Sequence, residues 1–151
     1  MFRGANKVTL DAKGRMAMPA RYRDTLVERS EGRLVVTVDR ADRCLLIYPL
    51  PDWEEIERKL MRLPTLNPQA RRLQRLMVGH ATDLEFDSHG RVLVPPKLRE
   101  YAGLTRQAML IGQGSRFELW DEQHWNERRD AWLQAGEETG QLSSELEQLS
   151  L

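Results

Sequence analysis

Apolar and polar positions alternate in short stretches along this chain, and short runs of helical spacing lie between them. Val8-Thr9-Leu10 alternates as a half-buried strand does, and Met16, Ala17 and Met18 continue as a second short strand. Leu34-Val35-Val36-Thr37-Val38 is a β-branched run, returned by Cys44-Leu45-Leu46-Ile47-Tyr48 across the polar turn 39–43. Trp53, Ile56, Leu60 and Leu63 then recur at spacings of 3, 4 and 3, which predicts one apolar stripe on a helix opened at Pro51-Asp52 and stopped by Pro64. Asn67-Pro68 reads as an N-cap and first-turn proline for a helix reaching Gly79 that buries Ala70, Leu73, Leu76 and Met77. Beyond it, residues 80–86 and 92–94 predict strands, and Pro96 to Gly103 a helix. Met109-Leu110-Ile111 and Phe117-Glu118-Leu119-Trp120 predict a hairpin around residues 112–115, and Asp121 caps a helix carrying Trp125 and Trp132. After Gly136 the chain turns polar, and Leu142, Leu146 and Leu149 keep helical spacing in what is either a short amphipathic helix or a disordered tail.

The same pattern occurs twice. Asp11-Ala12-Lys13-Gly14-Arg15 is followed by three apolar residues, Pro19, Ala20, Arg21, Tyr22 and Arg23. Asp87-Ser88-His89-Gly90-Arg91, 76 residues later, is followed by three apolar residues, Pro95, Pro96, Lys97, Leu98 and Arg99. The pairs Tyr48/Trp120 and Trp53/Trp125 are each 72 apart, so the first copy carries four more residues, expected in the polar stretch 28–33. The division read from this is a first repeat at 1–56, a helical connector at 57–79, a second repeat at 80–135 and an acidic tail at 136–151. Each repeat is near the lower limit for a core of its own, which predicts one shared core. Asp11 and Gly14, like Asp87 and Gly90, read as turn residues, Asp accepting local backbone N–H groups and Gly taking positive φ. The strands on either side of that turn either close as a hairpin or splay apart to pair with the other copy.

Charge narrows the picture. The net charge is zero, yet residues 1–23 carry six bases (Arg3, Lys7, Lys13, Arg15, Arg21, Arg23) against the single acid Asp11. Residues 121–151 carry eight acids against Arg128 and Arg129. Such a basic front end is the electrostatic footprint of a polyanion binder, and clustered arginines repel one another unless an anion neutralises them. Arginine offers a planar fork that holds phosphate bidentately or reads guanine O6 and N7 in the major groove. Arg91 has a more acidic setting, with Asp83, Glu85 and Asp87 nearby, so turn closure by Asp87 competes there with DNA contact.

The remaining chemistry is sparse. His80, His89 and His124 are not at metal-ligand spacing, and no metal site or cofactor is expected. No nucleophile elbow, P-loop or dinucleotide fingerprint occurs, so an enzyme acting on a small molecule is the poorest reading. The single Cys44 lies in a strand with no base beside it, which fits a reducing compartment. The four tryptophans fall at helical positions or a strand end and read as core. No signal peptide is read at the N-terminus, and the longest apolar run, 44–50, is too short to span a bilayer.

The opening Met1-Phe2-Arg3-Gly4, both Asp-x-x-x-Arg motifs, Leu45-Leu46-Ile47-Tyr48-Pro49 and Phe117-Glu118-Leu119-Trp120 together resemble the MraZ family over nearly the whole chain. The resemblance implies a mainly β fold with α (α+β), a tandem duplicated AbrB-like swapped-hairpin barrel forming a pseudo-dimer with peripheral helices. It also implies a cytoplasmic, nucleoid-associated transcription regulator. Such a protein binds double-stranded DNA at direct repeats upstream of its own division and cell-wall gene cluster, represses it, and assembles into a ring. On this resemblance Arg15 is the leading DNA contact, with Lys13 in the same turn. Arg3, Lys7, Arg21 and Arg23 are added from charge, and Arg91 matches the second motif. The alternative is an antitoxin-like DNA binder whose C-terminal tail holds a toxin.

Overall fold

The computed structural model describes residues 1–139 and 144–149, with side chains described to residue 136 and again from 144. In chain order it runs β1 (Phe2–Thr9), β2 (Arg15–Ala17), α1 (Ala20–Ser30), β3 (Arg33–Val38), β4 (Leu45–Pro49) and α2 (Leu50–Met61). The short helix α3 (Pro68–Leu73) continues into a wider π-helical turn (Gln74–Val78). Then come β5 (Thr82–Glu85), β6 (Arg91–Leu93), α4 (Pro96–Ala102), β7 (Gln107–Gly114), β8 (Arg116–Asp121), α5 (Glu122–Thr139) and α6 (Ser144–Glu147).

The strands splay. The two sides of the first turn are joined by an isolated bridge, Leu10↔Met16, and by the Asp11 amide donating to the Arg15 carbonyl at 3.0 Å, and β1 and β2 lie in different sheets. β1 instead pairs antiparallel with β7 of the second copy over Phe2↔Gly114 to Thr9↔Gln107, and β5 pairs in the same way with β3 of the first. The third exchange is β4 with β8, and the fourth is β2 with β6, which form a separate two-stranded sheet. The large sheet therefore has the order β1-β7-β8-β4-β3-β5, with every copy's first strand built into the other copy's sheet. Neither copy can close its backbone hydrogen bonds alone, which is why two short repeats make one body.

Alternation along the strands sends two sets of side chains to two faces. Leu34, Val36, Val38, Leu45, Ile47, Leu110, Phe117 and Leu119 face inward and share a core with Met16 and Val92 of the small sheet and with Met18 and Val94 just after its strands. Leu26 of α1 and Leu98 of α4 complete that core. The other face of the sheet carries Val35, Leu46 and Tyr48, covered by Trp53 and Leu60 of α2 and by Leu73 and Met77 beyond it. The expected stripe on α2 is thus real. Asn67 caps α3 by accepting from the Gln69 and Ala70 amides at 2.8 and 3.3 Å. Tyr48 meets Trp53 at 5.6 Å between ring centroids in a tilted contact, and Trp120 meets Trp125 edge-on at 5.5 Å, so equivalent positions touch in both copies. Trp53 and Trp120 are buried, whereas Trp132 is 41% exposed and only leans on that cluster.

One expectation needs correction. The four extra residues of the first copy are not one insertion at 28–33: α1 has 11 residues to the 7 of α4, while the hairpin between Val38 and Leu45 is longer than its counterpart between Gly112 and Phe117. A shorter link from α1 to β3 offsets the difference. Helix α5 runs through Gly136 to Thr139, because a solvent-facing glycine costs a helix only ~1 kcal/mol. Of the C-terminal leucines, Leu142 lies outside the described residues, while Leu146 and Leu149 are exposed.

Candidate nucleic-acid interface

The two Asp-x-x-x-Arg turns have one geometry. In the first, Asp11 Oδ1 accepts from the Lys13 and Arg15 amides at 3.0 and 2.9 Å, and Asp11 Oδ2 accepts from Arg15 Nε at 2.7 Å. In the second, Asp87 Oδ1 accepts from the His89 and Arg91 amides at 2.8 and 2.9 Å, and Oδ2 from Arg91 Nε at 2.9 Å. Gly14 and Gly90 take positive φ (88° and 73°) and donate back to the Asp carbonyls at 2.9 and 3.1 Å. The acids therefore do close their turns, as turn chemistry favours.

Antiparallel pairing of β2 with β6 sets the turns side by side, Arg15 opposite Leu93 and Ala17 opposite Arg91. Arg91 Nη1 then lies 3.8 Å from Asp11 Oδ2, so Asp11 sits between two guanidinium groups. The last arginine of each motif reaches across to the other turn. The Arg99 guanidinium packs where a side chain on Gly14 would stand, and Arg23 does the same at Gly90. Arg99 Nε also donates to the Val94 carbonyl at 3.0 Å. Arg23 is half-buried in this clamp.

One edge of this platform is an open groove of about 720 Å3, lined by Asp11, Arg15, Arg91, Arg99, Thr105 and Arg106 among others. At the equivalent edge on the other side of the pseudo-dyad Phe86 packs beside Gly32, and the exposed residues there are the acids Asp83 and Glu85 with Arg33 opposite Glu85. The duplication is thus uneven in charge: the first edge gathers Arg15, Arg91, Arg99 and Arg106 around Asp11, and the second carries two more acids beside Arg33. Arg106 was not singled out in the sequence, because only the pairing of its carbonyl with the Leu10 amide at 2.8 Å brings it beside the first turn. Arg99 carried a signal, being the last letter of the repeated motif.

The basic cluster expected at residues 1–23 is dispersed. β1 is extended over Phe2–Thr9, which carries Arg3 ~25 Å along the strand from Asp11 at ~3.3 Å per residue. Lys7 pairs with Glu122 at 3.4 Å. Arg21 donates from Nη2 to Asn6 Oδ1 and the Tyr22 hydroxyl, both at 2.7 Å, while Tyr22 donates to the Arg3 carbonyl. The structure thus brings Lys13 and Arg15 together with Arg91, Arg99 and Arg106, and leaves Arg3, Lys7 and Arg21 elsewhere. Extended chain separates neighbours in sequence, so the mutual repulsion expected of all six bases does not arise.

Electrostatics follow from the hydrogen bonds. The Arg15 amide, then its side chain and the Lys13 amide, hold the Asp11 carboxyl at about 2, and the Arg91 and His89 amides lower Asp87 in the same way. A carboxyl whose folded value is depressed contributes stability above its unfolded value near 4, and that contribution is lost as pH falls through about 2. Thermal melts from pH 5 to 2 are therefore expected to show wild type losing more stability than Asp11→Asn/Asp87→Asn, the two curves converging as the acids protonate. Parallel curves would mean the turns hold without these charges.

Cys44 is fully buried and donates from Sγ to Asp39 Oδ2 at 3.6 Å. Burial first, then the Glu118 and Asp39 carboxylates, push its thiol up, so it stays protonated as a donor. Asp39, Cys44 and Glu118 bring donor atoms within 4.8 Å of one another, but Glu118 Oε1 is engaged by Trp120 Nε1 at 3.0 Å. Among the described residues no helix is long and apolar enough to cross a membrane.

Two copies of one unit that exchange their first strands and meet at paired Asp–Arg turns define a duplicated, AbrB-like α+β fold. Comparison with known proteins is more specific: the family model "MraZ protein, putative antitoxin-like" matches residues 1–76 and again 77–140, and the chain belongs to the MraZ family. It is 60% identical over 151 residues to a Thioalkalivibrio sulfidiphilus protein, each chain covered in full. Proteins of Halorhodospira halophila and Pseudomonas aeruginosa are each 58% identical, again over the whole of both chains. All three are named Transcriptional regulator MraZ.

Proposed function

We propose that this chain is a transcription regulator that binds double-stranded DNA through the edge of the β2–β6 platform. The observation that carries the reading is the posture of Arg15. Asp11 engages its Nε at 2.7 Å, while its two terminal nitrogens have no partner among the described residues and a third of the side chain is exposed. A guanidinium fixed at one edge and unpaired at the other is set for bidentate contact with phosphate or guanine. Lys13, exposed in the same turn, and Arg106 across the groove supply positive charge for the flanking backbone. The curated relatives' name, with full-length identity near 60%, supports regulation of transcription as the role.

The finer reading follows the family resemblance. The protein acts in the cytoplasm at the nucleoid, binds direct repeats upstream of its own division and cell-wall genes, and represses them. It does so as a homo-oligomeric ring. One groove per chain offers few contacts, and a ring displaying several gains avidity from successive repeats without new contacts. Regulators of this kind carry no catalytic machinery, and no small-molecule substrate or cofactor is proposed.

Fluorescence anisotropy on a duplex from upstream of the gene, against a shuffled duplex, tests this. Specific binding is expected, with a log–log salt slope of roughly −3 per engaged subunit if Lys13, Arg15 and Arg106 each neutralise one phosphate. Equal binding to both duplexes that vanishes in salt would reduce the site to a basic patch. DNA binding together with a small toxin co-purifying on the tail would establish the antitoxin reading instead, and no DNA binding at all would overturn both.

A further inference from the structure

A second charged surface lies away from the turns. Residues 58–80 hold six bases (Arg58, Lys59, Arg62, Arg71, Arg72, Arg75) and no acid. Among the described residues only Lys59 has an ion-pair partner, Glu55 at 3.9 Å. Arg71, Arg72 and Arg75 are exposed beside two adjoining open grooves of about 550 and 410 Å3. The grooves' apolar lining includes Leu63, Leu73 and Leu76, and Leu66 at their edge is 95% exposed. A phosphate backbone gives leucines nothing to cover, so an apolar groove rimmed by arginines fits an acidic, amphipathic protein segment better than it fits nucleic acid.

The chain carries such a segment. Residues 130–151 hold five acids and no base. Helix α6 (Ser144–Glu147) exposes Glu145, Leu146 and Glu147, and Leu149 just after it is exposed as well. Leu146 and Leu149 are three apart, on one side of a helical turn, with the acids beside them. The two segments also hold matching places in the duplication. The basic connector follows α2 and the acidic end follows α5, and α2 and α5 are the helices that set Trp53 and Trp125 against equivalent strand residues. Matching extensions of opposite charge are complementary between chains.

We infer that the α6 segment of one copy docks in the connector groove of a second copy. Leu146 and Leu149 cover Leu66, Leu73 and Leu76, while Glu145 and Glu147 meet Arg71, Arg72 and Arg75. Each chain has one acceptor and one donor, so the contact is head-to-tail; it adds subunits in one direction and closes as a ring when the rotation allows. The inference rests on the oligomer reading above and gives it its contact surfaces.

Light-scattering mass of the DNA-free, full-length protein tests it. Arg71→Glu/Arg75→Glu and Glu145→Lys/Glu147→Lys are each expected to weaken self-association at least about tenfold while leaving the melting temperature near wild type. The four changes combined in one chain restore the complementary pair and are expected to recover the assembly. A wild-type oligomer unaffected by either pair overturns this inference and leaves the oligomer reading standing. A monomeric wild type overturns both. An arginine variant of unchanged mass that loses DNA affinity makes the connector a phosphate contact and overturns the docking.

Discussion

Arg15→Ala abolishes most operator binding while the protein keeps its fold, its assembly and a near wild-type melting temperature. The expectation rests on how little of the turn depends on that side chain. Asp11 Oδ1 still accepts the Lys13 and residue 15 amides, and Gly14 still donates to the Asp11 carbonyl. Only the bond from Arg15 Nε to Asp11 Oδ2 is lost, and Arg91 stands 3.8 Å away to balance that carboxylate. A solvent-screened pair of this kind contributes little to stability. The binding loss is larger because one bidentate contact is worth ~1–3 kcal/mol at each site, and an assembly engaging two sites loses that amount twice. The affinity on native repeats should therefore fall by about thirtyfold or more. Arg91→Ala removes a guanidinium held on two sides by Asp87 and Asp11, and a loss smaller than that of Arg15→Ala is expected. Anisotropy with both variants, paired with thermal melts, checks the ranking. An Arg15→Ala protein that unfolds or disassembles would make the residue a strut of the turn, and equal losses from the two arginines would mean the pseudo-dyad is symmetric toward DNA.

That asymmetry separates what was legible in the chain from what was not. The turns were legible because their chemistry is local: Asp11 bonds amides two and four residues on, and Gly14 takes a conformation that favours glycine. The duplication, the Asn67 cap and the α2 stripe are local or periodic in the same sense. The exchange of strands was not settled by pattern, since an alternating strand has the same sequence whether its partner is 6 or 100 residues away; the family resemblance implied it. Arg106 escaped notice for the same reason, being brought to the first turn by pairing across the copies. The charge count at residues 1–23 misled in the opposite sense. It treated neighbours on an extended strand as neighbours in space, whereas Arg21 and Lys7 are engaged by Asn6, Tyr22 and Glu122. Arg23 and Arg99 show a third limit. Their motif position marked them as important without revealing that each clamps the glycine of the opposite turn.

Phe117→Ala is the substitution expected to cost most in stability, about 3–5 kcal/mol. The ring is fully buried, 4.3 Å from the Phe2 ring and 4.9 Å from the Tyr22 ring between centroids. Those partners belong to the first copy and Phe117 to the second, so the cluster is a seam where the two halves meet. Its neighbours cannot move in to fill the gap. Phe2 is held by β1 pairing along the whole of β7, and Tyr22 by the bonds its hydroxyl makes to Arg21, Asn6 and the Arg3 carbonyl. A cavity that cannot collapse lies at the costly end of the range, and a domain of this kind has only ~5–15 kcal/mol to lose. At this size that corresponds to a fall in melting temperature of roughly 10–15 °C. Leu133→Ala, at a side chain 66% exposed, is the control and should change stability by less than about 0.5 kcal/mol. Urea unfolding followed by tryptophan fluorescence and by circular dichroism checks both. The two probes should still coincide in Phe117→Ala, because exchanged strands oblige the copies to unfold together. Separate transitions would show that each copy has a core of its own, and a cost below about 1 kcal/mol would show that the seam repacks. Below its melting temperature the variant should bind DNA as wild type does, since the Asp11 turn is closed by its own amides and lies at the other end of β1.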